Sequence, residues 1–248
     1  MQQFNVFVCL ILRTAILRYC YWCTIIFYML TAELINNNIP RLQLQDSIGK
    51  ALRLISDYRV THLPVVSENN YLGMISEDDL LDADDEKSPI EILQENFLLS
   101  SVKANVHFLN AVNFSNQFET SIVPVVNIVN ELAGVITMVD LLKTLGNFSG
   151  ANEIGGIIVM EMERSHFAIS EISRIVESND ATILHLNTTT HPDTGLLTVT
   201  LHINKKEISA IIAAFERYEY DIIFNFGDEK FENNIDTNYR HLMNYLDI

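Results

Sequence analysis

Residues 30–248 contain no cysteine, because the three cysteines of the chain, Cys9, Cys20 and Cys23, all lie in the N-terminal segment. This part of the chain therefore cannot form a disulfide framework or a cysteine zinc site. Bases are also scarce, since 16 lysines and arginines stand against 32 acids, for a formal net charge of −16. A field of this sign argues against nucleic acid and anionic membrane surfaces as broad partners. A small anionic ligand can still bind at a helix N-terminus or beside one local base.

The sequence also lacks the usual motifs of catalysis and metal binding. No pattern for a nucleophilic serine or cysteine occurs, and the seven histidines do not have metal-ligand spacing. Residues 77–86 are strongly acidic and could gather a divalent cation, but they have neither the glycine nor the terminal ligand of an EF-hand loop. We favour a solvated helix face for this run. The sequence therefore predicts no catalytic residue, no metal site and no cofactor.

Residues 4–30 are almost wholly apolar and aromatic, and they are long enough to span a bilayer. Arg13 and Arg18 lie inside this segment, and a central arginine costs roughly 2.5–3.5 kcal/mol on insertion scales. A signal peptide fits worse, because the arginines do not precede the apolar region. Since Met29 begins a polar, well-patterned sequence, three interpretations of residues 1–29 stay open: an upstream start codon included in error, a membrane anchor, and a buried or interfacial helix.

One local pattern occurs twice in the chain. Residues 63–66 (LPVV) and 73–80 (GMISEDDL) recur as residues 123–126 (VPVV) and 134–141 (GVITMVDL). The two prolines are 60 positions apart, and the glycines and the aspartates are 61 positions apart. A repeat at this spacing indicates a duplicated supersecondary unit.

Each copy predicts the order β-α-β-β-α. In the first copy the predicted elements are a strand at 42–44, a helix capped by Asp46 or Ser47, hairpin strands at 63–66 and 71–75, and a helix from Ser76. We place the first unit at residues 30–87 and the second at 88–145. The sequence Ser88-Pro89-Ile90-Glu91 predicts a linking helix at the start of the second unit.

The C-terminal part has a different pattern. Glycine and small polar residues at 146–155 predict a linker between domains. Residues 156–227 then predict the order β-α-β-β-α-β, typical of a ferredoxin-like sheet with helices on one face. Residues 228–248 have apolar side chains at helical spacing and predict a tail helix that packs on its own domain or on a second subunit. The predicted fold class is therefore α+β.

The two copies resemble the tandem cystathionine β-synthase (CBS) domain pair, the Bateman module, in which two such units form one nucleotide-binding module. The resemblance rests on residues 73–76 with Asp79 and residues 134–137 with Asp140, each preceded by a Pro-Val-Val strand. It implies an adenosyl ligand held by these residues: Ser76 and Thr137 at the phosphate, Asp79 and Asp140 at the ribose, and Pro64, Val65, Pro124 and Val125 at the adenine.

The residues themselves permit both a binding and a purely structural interpretation. A hydroxyl at a helix start lies beside free N–H groups and suits a phosphate oxygen. The same spacing resembles a capping box, which needs no ligand. Arg41, Arg59 and His62 lie near the first Pro-Val-Val strand, so we expect the first copy to be better equipped for additional phosphates.

Residues 156–227 resemble an ACT domain in topology. In that family the loop after the first strand commonly has a glycine that lets an amino-acid ligand approach the backbone, whereas residues 163–167 here read ERSHF. The added side chains fill space where close approach is needed, so we predict dimerisation or partner contact for this domain. The whole arrangement resembles bacterial CBS–ACT proteins of the acetoin-utilisation accessory type.

The sequence therefore predicts a non-catalytic, cytoplasmic regulatory sensor. We expect AMP, ADP, ATP or S-adenosylmethionine to bind in the CBS pair, and a homodimer to pass the signal to an unknown downstream protein. Such a ligand acts only through its different affinities for two conformations. The alternative is a structural scaffold with vestigial sites, or a membrane-tethered regulator of a transporter if residues 4–30 anchor the chain.

Overall fold

The computed structural model describes residues 29–227. The chain divides into two compact units, Met1–Lys143 and Thr144–Ile248. The interpretations of residues 1–28 and the predicted tail helix at 228–248 lie outside the described residues. Within the described range, no helix combines the length and the apolarity that a membrane crossing requires.

The first unit contains the two copies of the repeated pattern. The first copy is built from β1 (Leu42–Gln43), α1 (Ile48–Tyr58), β2 (His62–Ser67), β3 (Asn70–Ser76) and α2 (Glu77–Leu81). The second is built from β4 (Val102–Lys103), α3 (Leu109–Phe118), β5 (Ile122–Val126), β6 (Leu132–Thr137) and α4 (Met138–Phe148). Both copies have the predicted order β-α-β-β-α. Short 3-10 helices precede them at Thr31–Leu34 and Ile90–Asn96, so the predicted linking helix is a 3-10 helix, and Pro89 rather than Ser88 stands at its start.

Helix α1 shows how the local sequence sets these elements. Ser47 caps it, because its side chain accepts a hydrogen bond from the Lys50 backbone N–H. Ile48, Ala51 and Ile55 form the stripe that the helix buries. Arg59 ends the helix in the left-handed conformation, with φ of 53°.

The two copies form three-stranded sheets with the same topology. The first strand of each runs parallel to the second, and the second pairs with the third as an antiparallel hairpin, giving the orders β1-β2-β3 and β4-β5-β6. Val65 lies opposite Gly73, and Val125 lies opposite Gly134. Both valines are fully buried in one hydrophobic core that the two copies share.

The chain segment that enters each copy pairs with the last strand of the other copy. The Asn36 backbone N–H donates to the Val135 carbonyl at 2.7 Å, and Leu98 and Met74 exchange two such bonds at 2.9 Å. Gly73 lies at this crossing with φ of 154°, and a Cβ there would be 2.8 Å from the Phe97 Cβ. The glycine of the repeated pattern is thus required by backbone packing.

The second unit is an antiparallel sheet covered by two helices. Its elements are β7 (Gly156–Met162), α5 (Ile169–Glu177), β8 (Ile183–Thr190), β9 (Leu197–Ile203), α6 (Ser209–Arg217) and β10 (Asp221–Phe226). The strand order is β10-β7-β9-β8. Alternate residues of β7 and β9, such as Ile158 and Val199, are buried in one core together with Ile172 and Phe215 of the helices.

Thr120 is a buried polar residue whose hydroxyl is expected to reduce the stability of the first unit. It is 1% exposed, and its hydroxyl has no hydrogen-bond partner among residues 29–227. Val60 stands 60 positions earlier, after an equally left-handed residue. We predict that Thr120→Val raises the free energy of unfolding by about 1 kcal/mol, because a buried unpaired hydroxyl carries a desolvation cost of roughly that size.

Urea unfolding followed by circular dichroism measures this change. The reciprocal variant, Val60→Thr, is the matched control and should lower the free energy of unfolding. A Thr120→Val protein no more stable than wild type would show that the hydroxyl is satisfied.

Candidate functional site

The first repeated hydroxyl and aspartate lie where β3 runs into α2. The Asp79 backbone N–H donates to Ser76 Oγ at 3.0 Å, and the Ser76 hydroxyl donates in turn to the Asp79 carboxylate. The other carboxylate oxygen accepts from Asn96 Nδ2 at 3.1 Å. Ser76 and Asp79 are both half-buried, so the carboxylate is fixed in place while remaining accessible to solvent.

The second copy repeats this arrangement where β6 runs into α4. Thr137 Oγ1 donates to Asp140 Oδ2 at 2.6 Å and accepts from the Asp140 backbone N–H at 3.2 Å. Asn36 Nδ2 donates to the same carboxylate oxygen at 3.3 Å. Each copy therefore contains a trio of hydroxyl, aspartate and asparagine, which we call the first trio (Ser76, Asp79, Asn96) and the second trio (Thr137, Asp140, Asn36).

Sequence reasoning missed the two asparagines. Each comes from the segment that enters one copy and bonds the aspartate of the other copy. Asn36 and Asn96 are 60 positions apart, and this agreement with the repeat was the signal that could have found them. The trios offer oxygen acceptors in fixed positions, a chemistry suited to binding hydroxyl groups.

A cavity of about 360 Å³ adjoins the second trio. Asn36 lines it and donates to Asp140, so the trio and the cavity share a residue. Arg41, Pro64, Leu132 and Gly134 also line it. Its volume falls within the roughly 300–1,000 Å³ typical of small-molecule pockets.

Two other features of the first unit are a second cavity and the acidic run at residues 77–86. A shallower cavity of about 730 Å³ beside α1 is lined by Ser47, Arg53 and Lys87 among others, and by none of the predicted site residues. In the acidic run, only Glu77–Leu81 is helical. Within the described part of the chain, no three histidine, cysteine, aspartate or glutamate side chains are grouped so that they could hold a metal ion.

The remaining predicted site residues have different surroundings. Pro64 lines the cavity together with residues of the second copy, and Pro124 is buried. Val65 and Val125 are 0% exposed, so they pack in the core and offer no accessible surface to a ligand. Arg59 is exposed and caps α1, whereas Arg41 is the arginine that lines the cavity.

His62 lies beside the first trio. It stands opposite Ser76 in the sheet, and its Nδ1 is 2.8 Å from Thr61 Oγ1. Burial lowers the pKa of His62 below its usual value of 6.5, although the charges of Asp79 and Asp78 act in the opposite direction. The second copy has Ile122 at this position, opposite Thr137.

The family model of the CBS domain matches residues 32–86. This range begins in the first 3-10 helix and covers the first copy, with Ser76 and Asp79. The match therefore covers the first copy only, in a chain with an α+β fold.

Several solved structures are similar to part of the chain. A CBS domain pair/ACT domain protein from Thermotoga maritima matches with a TM-score of 0.44 and 18% identity, over 48% of this chain and 98% of that one. A putative acetoin utilization protein, AcuB, from Vibrio cholerae matches at 0.41 and 19%, over 50% of this chain and 94% of that one. CBSX2, solved in complex with AMP, matches at 0.39 and 20%, over 48% and 98% respectively.

The lowered pKa of His62 predicts a specific response to acid. A histidine whose pKa is lower in the folded state takes up fewer protons there, so its protonation favours the unfolded state. The contribution of neutral His62 is fully present above about pH 6.5 and is lost as the pH falls towards the folded pKa. We predict that His62→Ile, which copies Ile122, reduces the loss of stability on acidification from pH 7 to pH 5.5.

Thermal melts across this pH range measure the effect. Ile122→Val, at the same position of the second copy, removes no titratable group and should leave the pH dependence of wild type unchanged. An identical pH dependence in His62→Ile and wild type would mean that His62 titrates alike in both states.

Proposed function

We propose that residues 30–145 form a tandem CBS pair that binds an adenosyl nucleotide as a non-catalytic regulatory module. The observation that carries this proposal is the trio of hydroxyl, aspartate and asparagine, present twice and adjoining a cavity of ligand size on one side. The CBS match over residues 32–86 supports it for the first copy.

The second trio suits a ribose. The two hydroxyls of a ribose are donors, and an ionised carboxylate is an acceptor with room for both. Asp140 is half-buried and is already oriented by Thr137 and Asn36. A ligand hydroxyl therefore meets a carboxylate that loses little freedom on binding, which reduces the entropic cost of association. Ile39, Pro40 and Leu132, which are half-buried, supply apolar cavity surface for the adenine.

We propose that the second unit is an ACT-type domain that passes the signal on within a homodimer, in the cytoplasm, to an unidentified partner protein. Phe224 and Phe226 of β10 support a role in contact, because they are 62% and 61% exposed and lie stacked at 6.5 Å. Exposed neighbouring aromatic side chains mark interaction surfaces. Arg164, Ser165 and His166, in the loop after β7, are exposed side chains where the ACT family commonly has a glycine.

Isothermal titration calorimetry with AMP, ADP, ATP and S-adenosylmethionine tests the binding. We predict that at least one of these ligands binds the full-length chain and that Asp79→Ala/Asp140→Ala weakens its binding tenfold or more, because both ribose acceptors are lost. Asp78→Ala/Asp84→Ala is the matched control. It removes the same charge from two positions outside the trios and should leave the affinity within a factor of two.

No heat from any of the four ligands, in protein shown to be folded by circular dichroism, would contradict the proposal. The hydroxyls of Ser76 and Thr137 would then serve only as helix caps, and the paired copies would be a scaffold.

A further inference from the structure

We propose that only one cleft of the pair takes a ligand, that this is the cleft at Arg41, and that the ligand is an anionic nucleotide. The inference rests on the proposed function and concerns which of the two clefts, the one beside the first trio or the one beside the second, has room for a ligand. The cavity lies between the segment 36–41, Pro64 and residues 132–135. The corresponding position at the first trio lies where the segment 98–101 contacts Tyr71 and Gly73.

Tyr71 and Leu132 occupy the same place in their copies. Tyr71 stands opposite Val66, and Leu132 stands opposite Val126, each just after the shift in register of its hairpin. Leu132 is half-buried and lines the cavity. Tyr71 is only 5% exposed, so its ring fills the corresponding space with protein.

The Tyr71 hydroxyl also forms hydrogen bonds with the segment 98–101. It donates to the carbonyl of Ser100 at 2.9 Å and lies 3.3 Å from the carbonyl of Leu98. A leucine has no hydroxyl, so Leu132 can make no such bond to the segment on its own side. Phe97, 6% exposed, packs against Gly73 and adds a second ring to the closed side.

The two entering segments pair with the opposite copy at different points. The first pairs at Asn36, six positions before β1 begins at Leu42. The second pairs at Leu98, four positions before β4 begins at Val102. The stretch between the pairing point and the first strand is therefore two residues longer on the side of the cavity.

Charge then selects among adenosyl ligands. Among the described residues that line the cavity, Arg41 is the one that is charged. Within residues 29–227 the ion pairs are Lys50 with Asp46 and Arg174 with Glu171, so no described carboxylate is paired with Arg41. A guanidinium binds phosphate through two parallel hydrogen bonds. A phosphate at Arg41 and a ribose at Asp140 fit a nucleotide better than S-adenosylmethionine, whose sulfonium is a cation.

Calorimetry with ADP on the full-length chain tests the inference through a reciprocal pair of variants. Wild type should bind one ADP per chain. Leu132→Tyr copies the closed side and should abolish binding. Tyr71→Leu copies the open side and should raise the stoichiometry towards two, whereas Tyr71→Phe keeps the ring and should leave it at one.

A second arm tests the phosphate contact. Arg41→Gln should weaken ADP binding about tenfold, or about 1.4 kcal/mol, while leaving the affinity for adenosine unchanged. Arg53→Gln removes an exposed arginine beside the other cavity and should change neither affinity.

The outcomes separate the inference from the proposal beneath it. Two ADP molecules per wild-type chain, unchanged binding in Leu132→Tyr, or binding of S-adenosylmethionine in place of ADP would overturn the inference while the proposed function stands. If wild type binds none of the adenosyl ligands, the proposed function itself is overturned. Because Leu132 is only half-buried, we expect Leu132→Tyr to fold, and its ADP binding tests the inference even if Tyr71→Leu does not fold.

Discussion

The backbone pairing between each entering segment and the last strand of the opposite copy is the constraint on which the first unit depends. It joins Asn36 to Val135 and Leu98 to Met74, and glycine at the crossing lets the two backbones approach. Because the segments cross over, Asn36 reaches the aspartate of the second copy and Asn96 that of the first. Neither trio exists within a single copy, so the candidate site is a property of the pair.

Duplication gives two similar frameworks, and their differences are concentrated at a few side chains. Val60 and Thr120 differ in the core, where the Thr120 hydroxyl has no hydrogen-bond partner among residues 29–227. His62 and Ile122 differ beside the trios, and Tyr71 and Leu132 differ at the clefts. The hydrogen bonds of Ser76 and Thr137 with their aspartates remain alike. The shared geometry is thus the part nearest the proposed ribose, while the volume and charge of the two sides have diverged.

The order of elements in both copies could be predicted from the sequence, because helix stripes, hairpin turns and helix caps are set by residues a few positions apart. The hydroxyl and aspartate of each trio were found for the same reason. The asparagines and the cavity were not, because they depend on which copy each segment pairs with, a contact between residues about 100 positions apart for Asn36 and Asp140. Arg59 stands close to the Pro-Val-Val strand in sequence, but its left-handed backbone ends a helix, and Arg41 lies at the cavity instead. Val65 and Val125 were expected at the adenine, and in the structure both are buried, each between buried neighbours of its strand.

If the ring of Tyr71 closes one cleft, as we propose, it affects the shape of the dose–response curve. A chain with one open cleft has no second ligand on the same chain with which to cooperate, so its own occupancy rises gradually with concentration. Any sharp threshold in the output would have to arise from coupling between chains in an assembly. A single aromatic side chain would in this way move the origin of cooperativity from within the polypeptide to the contacts between polypeptides.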